Sequence, residues 1–167
     1  MILRVYCALD MPLQPATPAP QITSQLLAQL GLSEDNKPIF LNFFRSDCPW
    51  CASEMPQLSD IYARHEKFGA HIIGIAVGND TPETATRFAR EKLLTFPTVA
   101  DQNGELKTAF AIERVPAIVA IGAQGLIERT YEGATEQLPG ILEQTLFALA
   151  HESEPPEYDM IGNGCAP

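Results

Sequence analysis

Apolar positions along this chain repeat with two periods, and their alternation predicts the architecture. "ITSQLLAQLGL" sets apolar residues at 22, 26, 27 and 30 ahead of Gly31, which predicts a short amphipathic helix. "KPIFLNFF" (37–44) is an unbroken apolar run rich in Phe and Ile, the mark of a buried strand. From Pro49 to about Lys67 the period turns helical, with Met55, Leu58, Ile61 and Tyr62 on one face. "AHIIGIAVG" (70–78) predicts a second buried strand. Thr81 then caps, and Pro82 opens, a helix whose apolar face is Ala85, Phe88, Ala89 and Leu93. "TFPTVAD" (95–101) reads as a short strand, and "QNGELKTAFAI" as a turn and short helix. "PAIVAIG" and "LIERTYEG" are two strands joined by "AQG", a hairpin with Gly at its turn. Leu138, Ile141, Leu142, Thr145 and Leu149 mark a last amphipathic helix.

Strands alternating with helices, then a hairpin and a helix, predict an α/β fold with a central mixed β-sheet flanked by helices. Residues 11–20, "MPLQPATPAP", hold four prolines and predict an extended arm. The expected division is an arm over 1–20, one domain over 21–150 and an acidic tail over 151–167 that is mobile or draped over the surface.

Composition narrows the function classes. A chain of 167 residues fits one domain with a real core, and a monomer is the default expectation. Its 11 Lys and Arg stand against 21 Asp and Glu, for a net charge of −10. That balance argues against nucleic acid or an anionic membrane as the main partner. No run approaches the roughly 18 apolar residues of a membrane span. The first twenty residues make a poor signal peptide, with too short an apolar region and no convincing cleavage site. His65, His71 and His151 have no metal-ligand spacing, so no metal is expected.

The chemistry concentrates where the first apolar run ends. Pro49 suits the first helical position, which makes Cys48 the helix N-cap. There its sulfur faces the free N–H groups of the first turn and the positive end of the helix dipole. Both favour thiolate. A thiol of pKa about 8.5 is only about 3% ionised at pH 7, whereas one lowered to about 7 is half ionised. Cys51 lies one turn on, on the same face, placed to close a small disulfide or resolve a mixed one on Cys48. A structural zinc site would need four ligands, and no second CxxC or His pair is present. Trp50, the only Trp, sits between the cysteines, exposed and available to a substrate. Cys7 and Cys165 are open: a bridge between the chain ends, or a free thiol, with Cys165 following a Gly-Asn-Gly segment that lets it reach a partner or the active site. An incidental unpaired cysteine ranks ahead of a third redox player.

"LNFFRSDCPWCASEMPQL" (41–58) and "FPTVADQNGELKTAFAIERVPAIVAIGAQGLIERTYEG" (96–133) together resemble the thioredoxin superfamily, and more closely its TlpA/ResA-like reductases. The resemblance covers about residues 37–148. It implies a thioredoxin fold with an inserted helix and strand over 81–101, ahead of the strand that begins at a cis-proline. It also implies that Val115-Pro116 is that cis peptide, facing the CxxC, with Val115 and Pro116 docking a client chain beside Trp50. No dissociable cofactor is implied, because a redox-active Cys48–Cys51 disulfide is itself the electron carrier. An upstream dithiol protein would supply the electrons. The resemblance implies an extracytoplasmic place; the absence of a clear leader leaves the cytoplasm open.

Two positions depart from the wider superfamily pattern. Asn42 stands where many cytosolic thioredoxins carry a buried Asp, so proton transfer at Cys51 must use water or another group. Glu54, one turn beyond Cys51, is a candidate, with a solvated helix residue as the equal alternative. Asp47, just before Cys48, opposes thiolate formation, and Arg45 is placed to offset it. The expected function is thiol–disulfide exchange with cysteine-containing client proteins, in the reducing direction. The alternatives are a copper thiolate carrier and a redox-inert binding module. A peroxidase would need a Thr three residues before the reactive Cys, where Arg45 stands.

Overall fold

A computed structural model describes residues 17–33, 35–65, 68–153, 155–156 and 163–167. Cys7, most of the predicted arm and the expected helix end at Lys67 lie outside the described residues. Along the chain run β1 (Thr17–Pro18), α1 (Ile22–Gln29), β2 (Ile39–Phe44), α2 (Pro49–Arg64), β3 (His71–Ala76), α3 (Pro82–Glu91), β4 (Thr98–Ala100), α4 (Glu105–Ala109), β5 (Ala117–Ile121), β6 (Leu126–Glu132) and α5 (Leu138–Ala150). The strands form one sheet in the order β1-β6-β5-β2-β3-β4. β2, β3 and β4 are mutually parallel, whereas β5 and β6 run antiparallel to their neighbours. This is the mixed sheet that the pattern predicts, with α3 and β4 inserted ahead of β5.

Burial explains the two kinds of strand. Every residue of β2 and β5 is buried, as befits the centre of a sheet covered on both faces. β6 alternates instead, burying Ile127, Arg129 and Tyr131 while their neighbours are half-buried. Within β2, alternation points Phe40, Asn42 and Phe44 to one face and Leu41 and Phe43 to the other. Phe40 meets Tyr62 of α2, and Phe44 stacks on Phe88 of α3 at 4.8 Å between ring centroids. On the opposite face Phe43 meets Phe110, just past α4. α1 lies on that second face, where Ile22 and Leu26 share a cleft with Leu106 of α4. α2 and α5 pack against each other. Gly74 of β3 is required by close approach, since a Cβ there would come within 2.7 Å of Thr98 on β4.

Thr17 and Pro18 fall in the stretch predicted as an extended arm. There the backbone pairs antiparallel with Leu126 and Ile127 and closes one edge of the sheet.

α3 starts as its sequence predicts. Thr81 accepts a bond from the Thr84 N–H, and the Thr84 hydroxyl accepts one from the Thr81 N–H. This reciprocal pair satisfies two donors that the first helical turn otherwise leaves free. Thr81→Ala should therefore lower unfolding free energy by about 1 kcal/mol in urea titrations, and Thr81→Ser should retain most of it.

Candidate active site

β2 ends at Phe44, and the chain turns through 45–47 into α2. Cys48 occupies the N-cap of α2 with extended backbone (φ −89°, ψ 117°), followed by Pro49 at the first helical position. Pro49 and Trp50 are exposed, Trp50 at 43%. From the neighbouring strand, the cis Val115-Pro116 peptide leads into β5. The Cys48 sulfur lies 4.0 Å from the Val115 carbonyl oxygen. The cysteine, the proline and the exposed Trp are thus gathered at one end of the sheet.

The loop carrying Cys48 is pinned from two sides. Buried Asp80, at the entrance to α3, accepts bonds from the Ser46 N–H (2.7 Å), the Ser46 hydroxyl and the Thr84 hydroxyl (2.6 Å). Arg45 donates twice to Asp47, at 2.9 and 2.6 Å. The guanidinium holds the Asp47 carboxyl below its usual range, and Asp47 raises Arg45 in return. Asp47 therefore sits beside Cys48 already neutralised by a partner. Its opposition to a thiolate is reduced accordingly. On the far side of the Pro116 turn, Glu132 accepts the N–H groups of Glu113 and Arg114.

Behind Cys48 the helix turns inward. Cys51 is free and wholly buried, and desolvation pushes its thiol up to about 12, with the Glu54 carboxyl adding to the rise and Arg45 opposing it. Glu54 is only 5% exposed, and neither carboxyl oxygen has a hydrogen-bond partner. Burial alone raises it to about 8. The alternative of a solvated Glu54 is overturned: tertiary packing covers a helix position that sequence alone leaves ambiguous. Asn42 is also buried and does not face the cysteines as a free group. It accepts from the Tyr62 hydroxyl at 2.7 Å and donates to the Ile73 carbonyl at 3.3 Å. Desolvation holds that hydroxyl well above the usual phenol range, so it stays a donor.

The disulfide differs from the expected Cys48–Cys51 pair. Cys48 is bonded to Cys165, 117 residues away, with their Cα atoms 6.1 Å apart. The expectation of an unpaired Cys165 and the possible Cys7–Cys165 bridge both give way to this pairing. Its physical cause is a short antiparallel docking. The Val115 N–H donates to the Cys165 carbonyl at 2.9 Å, and the Cys165 N–H returns to Val115 at 2.8 Å. Ala134 and Asn163 exchange a second such pair. The Gly-Asn-Gly segment ahead of Cys165 was the sequence signal for this reach. Among the described residues, no group of three or more His, Cys, Asp or Glu is gathered to hold a metal.

Comparison with known proteins places this geometry in context. A family model described as Redoxin matches residues 14–145. The thiol-disulfide oxidoreductase ResA of Oceanobacillus iheyensis is 34% identical over 110 residues, 65% of this chain and 57% of that protein. This chain thus spans little more than half the length of that relative. The sporulation thiol-disulfide oxidoreductase A of Bacillus subtilis is 28% identical over 130 residues, covering 75% of this chain and 79% of that one. Among solved structures, a secreted Mycobacterium tuberculosis disulfide oxidoreductase homologous to E. coli DsbE superposes with a TM-score of 0.56. It is 25% identical, covering 68% of this chain and 83% of its own.

The buried carboxyl generates a pH signature. Unfolded, Glu54 ionises above about 4.5; folded, only above about 8. The folded state holds the extra proton across that window, so stability falls as pH rises through it and levels off above. Glu54→Gln should flatten this slope. Urea unfolding at pH 5.5 and pH 8 should show the wild-type chain losing more stability than the variant, by on the order of a few kcal/mol.

Proposed function

This chain belongs to the Redoxin family, as a ResA-like member with the thioredoxin fold, and from that premise we propose that it is a thiol–disulfide oxidoreductase acting on cysteine-containing client proteins through Cys48 and Cys51. The observation that carries the reading is the placement of Cys48. It caps α2 4.0 Å from the carbonyl of Val115, beside the cis-proline, with Cys51 buried one turn behind it.

The chemistry follows from the two environments. Cys48, reduced, lies at the positive end of α2, where an anionic sulfur is favoured over the neutral thiol. That thiolate attacks a client disulfide, forming a Cys48–client bond and expelling the other client sulfur as a thiolate. Val115, with its N–H and carbonyl both directed outward from the strand start, holds the client backbone as an added antiparallel segment. Trp50 and Pro49 offer apolar surface beside it. Cys51 then attacks Cys48 and releases the client as a thiol, leaving the Cys48–Cys51 disulfide.

Resolution by Cys51 needs a base, because a thiol near 12 is almost wholly protonated at neutral pH. Glu54 is the acceptor this site offers, one turn away and unpartnered. Burial raises both groups, the thiol further than the carboxyl, so the transfer runs uphill. Ionisation of Glu54 should thus govern resolution more than the first attack. The dithiol carries the electrons itself, and an upstream dithiol protein would restore it. The reducing direction is the reading favoured by a buried, high-pKa Cys51.

A redox titration in graded dithiothreitol buffers, followed by Trp50 fluorescence, tests this function. The expected result is a reversible two-electron transition nearer the thioredoxin value of about −270 mV than the roughly −120 mV of a strong oxidant. Cys48→Ser should abolish it. A chain with no reversible transition would remove the oxidoreductase reading.

A further inference from the structure

Residues 163–167 lie where the proposed function puts a client. Cys165 makes both backbone bonds with Val115 that an added client strand would make, and its sulfur is joined to the sulfur a client would occupy. Arg45 donates through Nη1 to the Ala166 carbonyl at 2.9 Å, so the same guanidinium that neutralises Asp47 also grips this segment. A Cβ at Gly164 would come within 2.8 Å of the Val115 carbonyl oxygen and collide with the Arg114 side chain. Glycine at 164 is therefore what lets the backbone approach this closely. With the segment in place, Cys48 is only 1% exposed. Three observations thus converge on one cysteine: a disulfide, paired backbone bonds at Cys165 and at Asn163, and a fitted glycine.

We propose that Cys165 is a third redox-active cysteine of this protein, a tethered thiol that resolves mixed disulfides on Cys48 while its strand displaces the client from Val115. The proposal rests on the oxidoreductase reading and adds a step to it. Cys165, as thiolate, attacks the Cys48 sulfur of a Cys48–client disulfide. The Cys48–Cys165 bond forms, the Cys48–client bond breaks, and the departing client sulfur takes up a proton as its thiol. Over the whole cycle the client disulfide gains two electrons and becomes two thiols, while Cys48 and Cys165 become one disulfide. Because the client and the 163–167 strand use the same Val115 groups, bond exchange and client release are one event.

The next step is an isomerisation with no net redox change. Cys51 gives its proton to a base and attacks Cys48, forming Cys48–Cys51 and expelling Cys165 as a thiol. The two resolving cysteines are physically unequal. Cys51 is sealed in the core and costly to ionise, whereas Cys165 is half-buried at the surface. Cys165 is accordingly the faster first resolver, and Cys51 the slower one that clears Val115 for the upstream donor.

Disulfide mapping separates this idea from the function beneath it. Three full-length chains, each carrying Cys7→Ser, are oxidised in 1:1 reduced and oxidised glutathione, alkylated and mapped by mass spectrometry: the parent, Cys51→Ser, and Cys165→Ser. In Cys51→Ser, the Cys48–Cys165 disulfide should exceed the Cys48–glutathione adduct by roughly tenfold at millimolar glutathione, as a tethered thiol requires. Gly164→Val added to that chain should cut this ratio by about tenfold, to near parity, through loss of the two Val115 bonds. If Cys48 instead carries glutathione and Cys165 alkylates freely in Cys51→Ser, the proposal is overturned. The Cys165→Ser chain reports on the underlying function alone: a reversible Cys48–Cys51 disulfide there supports it, and none removes it whatever Cys165 does.

Discussion

The active site depends on one register: Phe43 of β2 lies opposite Ala117 of β5 in an antiparallel pair. Antiparallel pairing brings the end of β2 and the start of β5 to the same end of the sheet. Cys48 follows β2 by four residues and Val115 precedes β5 by two, so the reactive sulfur and the docking backbone meet without any contact designed between distant loops. A slip of one residue would turn Phe43 and its alternating partners to the wrong face. The buried rings that prevent the slip, Phe40 on Tyr62 and Phe43 on Phe110, therefore also hold the catalytic geometry. Core packing and site positioning are the same set of contacts here.

Given that geometry, burial divides the labour between the cysteines. The outer end of α2 carries Cys48, covered by the 163–167 segment, with an ion pair nearby whose charges cancel. One turn inward the same helix buries Cys51 and Glu54 together, and desolvation holds both in their neutral forms. The cost of an unpartnered buried carboxyl is a stability penalty that grows above pH 4.5, and it falls at the position where a proton acceptor is useful. Asn42 cannot take that role, being committed to Tyr62 and the Ile73 carbonyl. With an amide at position 42, Glu54 is the buried carboxyl one turn from Cys51, where a proton acceptor would be useful.

Much of this was legible in the sequence because it is local. The unbroken run 37–44, a strand from Ile39 to Phe44, the Cys48-Pro49 helix start, the Thr81 cap and the hairpin at 123–125 each follow from neighbouring residues, and each is found. The three features that the sequence misread or left open are tertiary. Thr17–Pro18 joins the sheet only because β6 offers an open edge. Glu54 lies on a helix whose polar and apolar positions mix, so its burial is fixed by what packs over α2. The Cys48–Cys165 pair spans 117 residues, and no spacing rule reaches that far. Its one local sign was the small residues around Cys165, which permit close approach without saying to what.

That sign acquires meaning once the docking at Val115 is known. A protein that takes client strands at Val115, as proposed, would read backbone more than side chain, because such strands share a cysteine and an extended conformation. Any segment of its own chain with those two properties and enough reach is then a competitor for the site. The sequence Gly164-Cys165-Ala166-Pro167 has a cysteine between small neighbours, with glycine where a Cβ would meet the Val115 carbonyl. Its tether raises its local concentration above that of a free client. Such a competitor would merely block the protein if Cys51 were absent. With Cys51 one turn behind Cys48, the block is reversible by thiol exchange alone, and occupancy of Val115 becomes a stage in turnover.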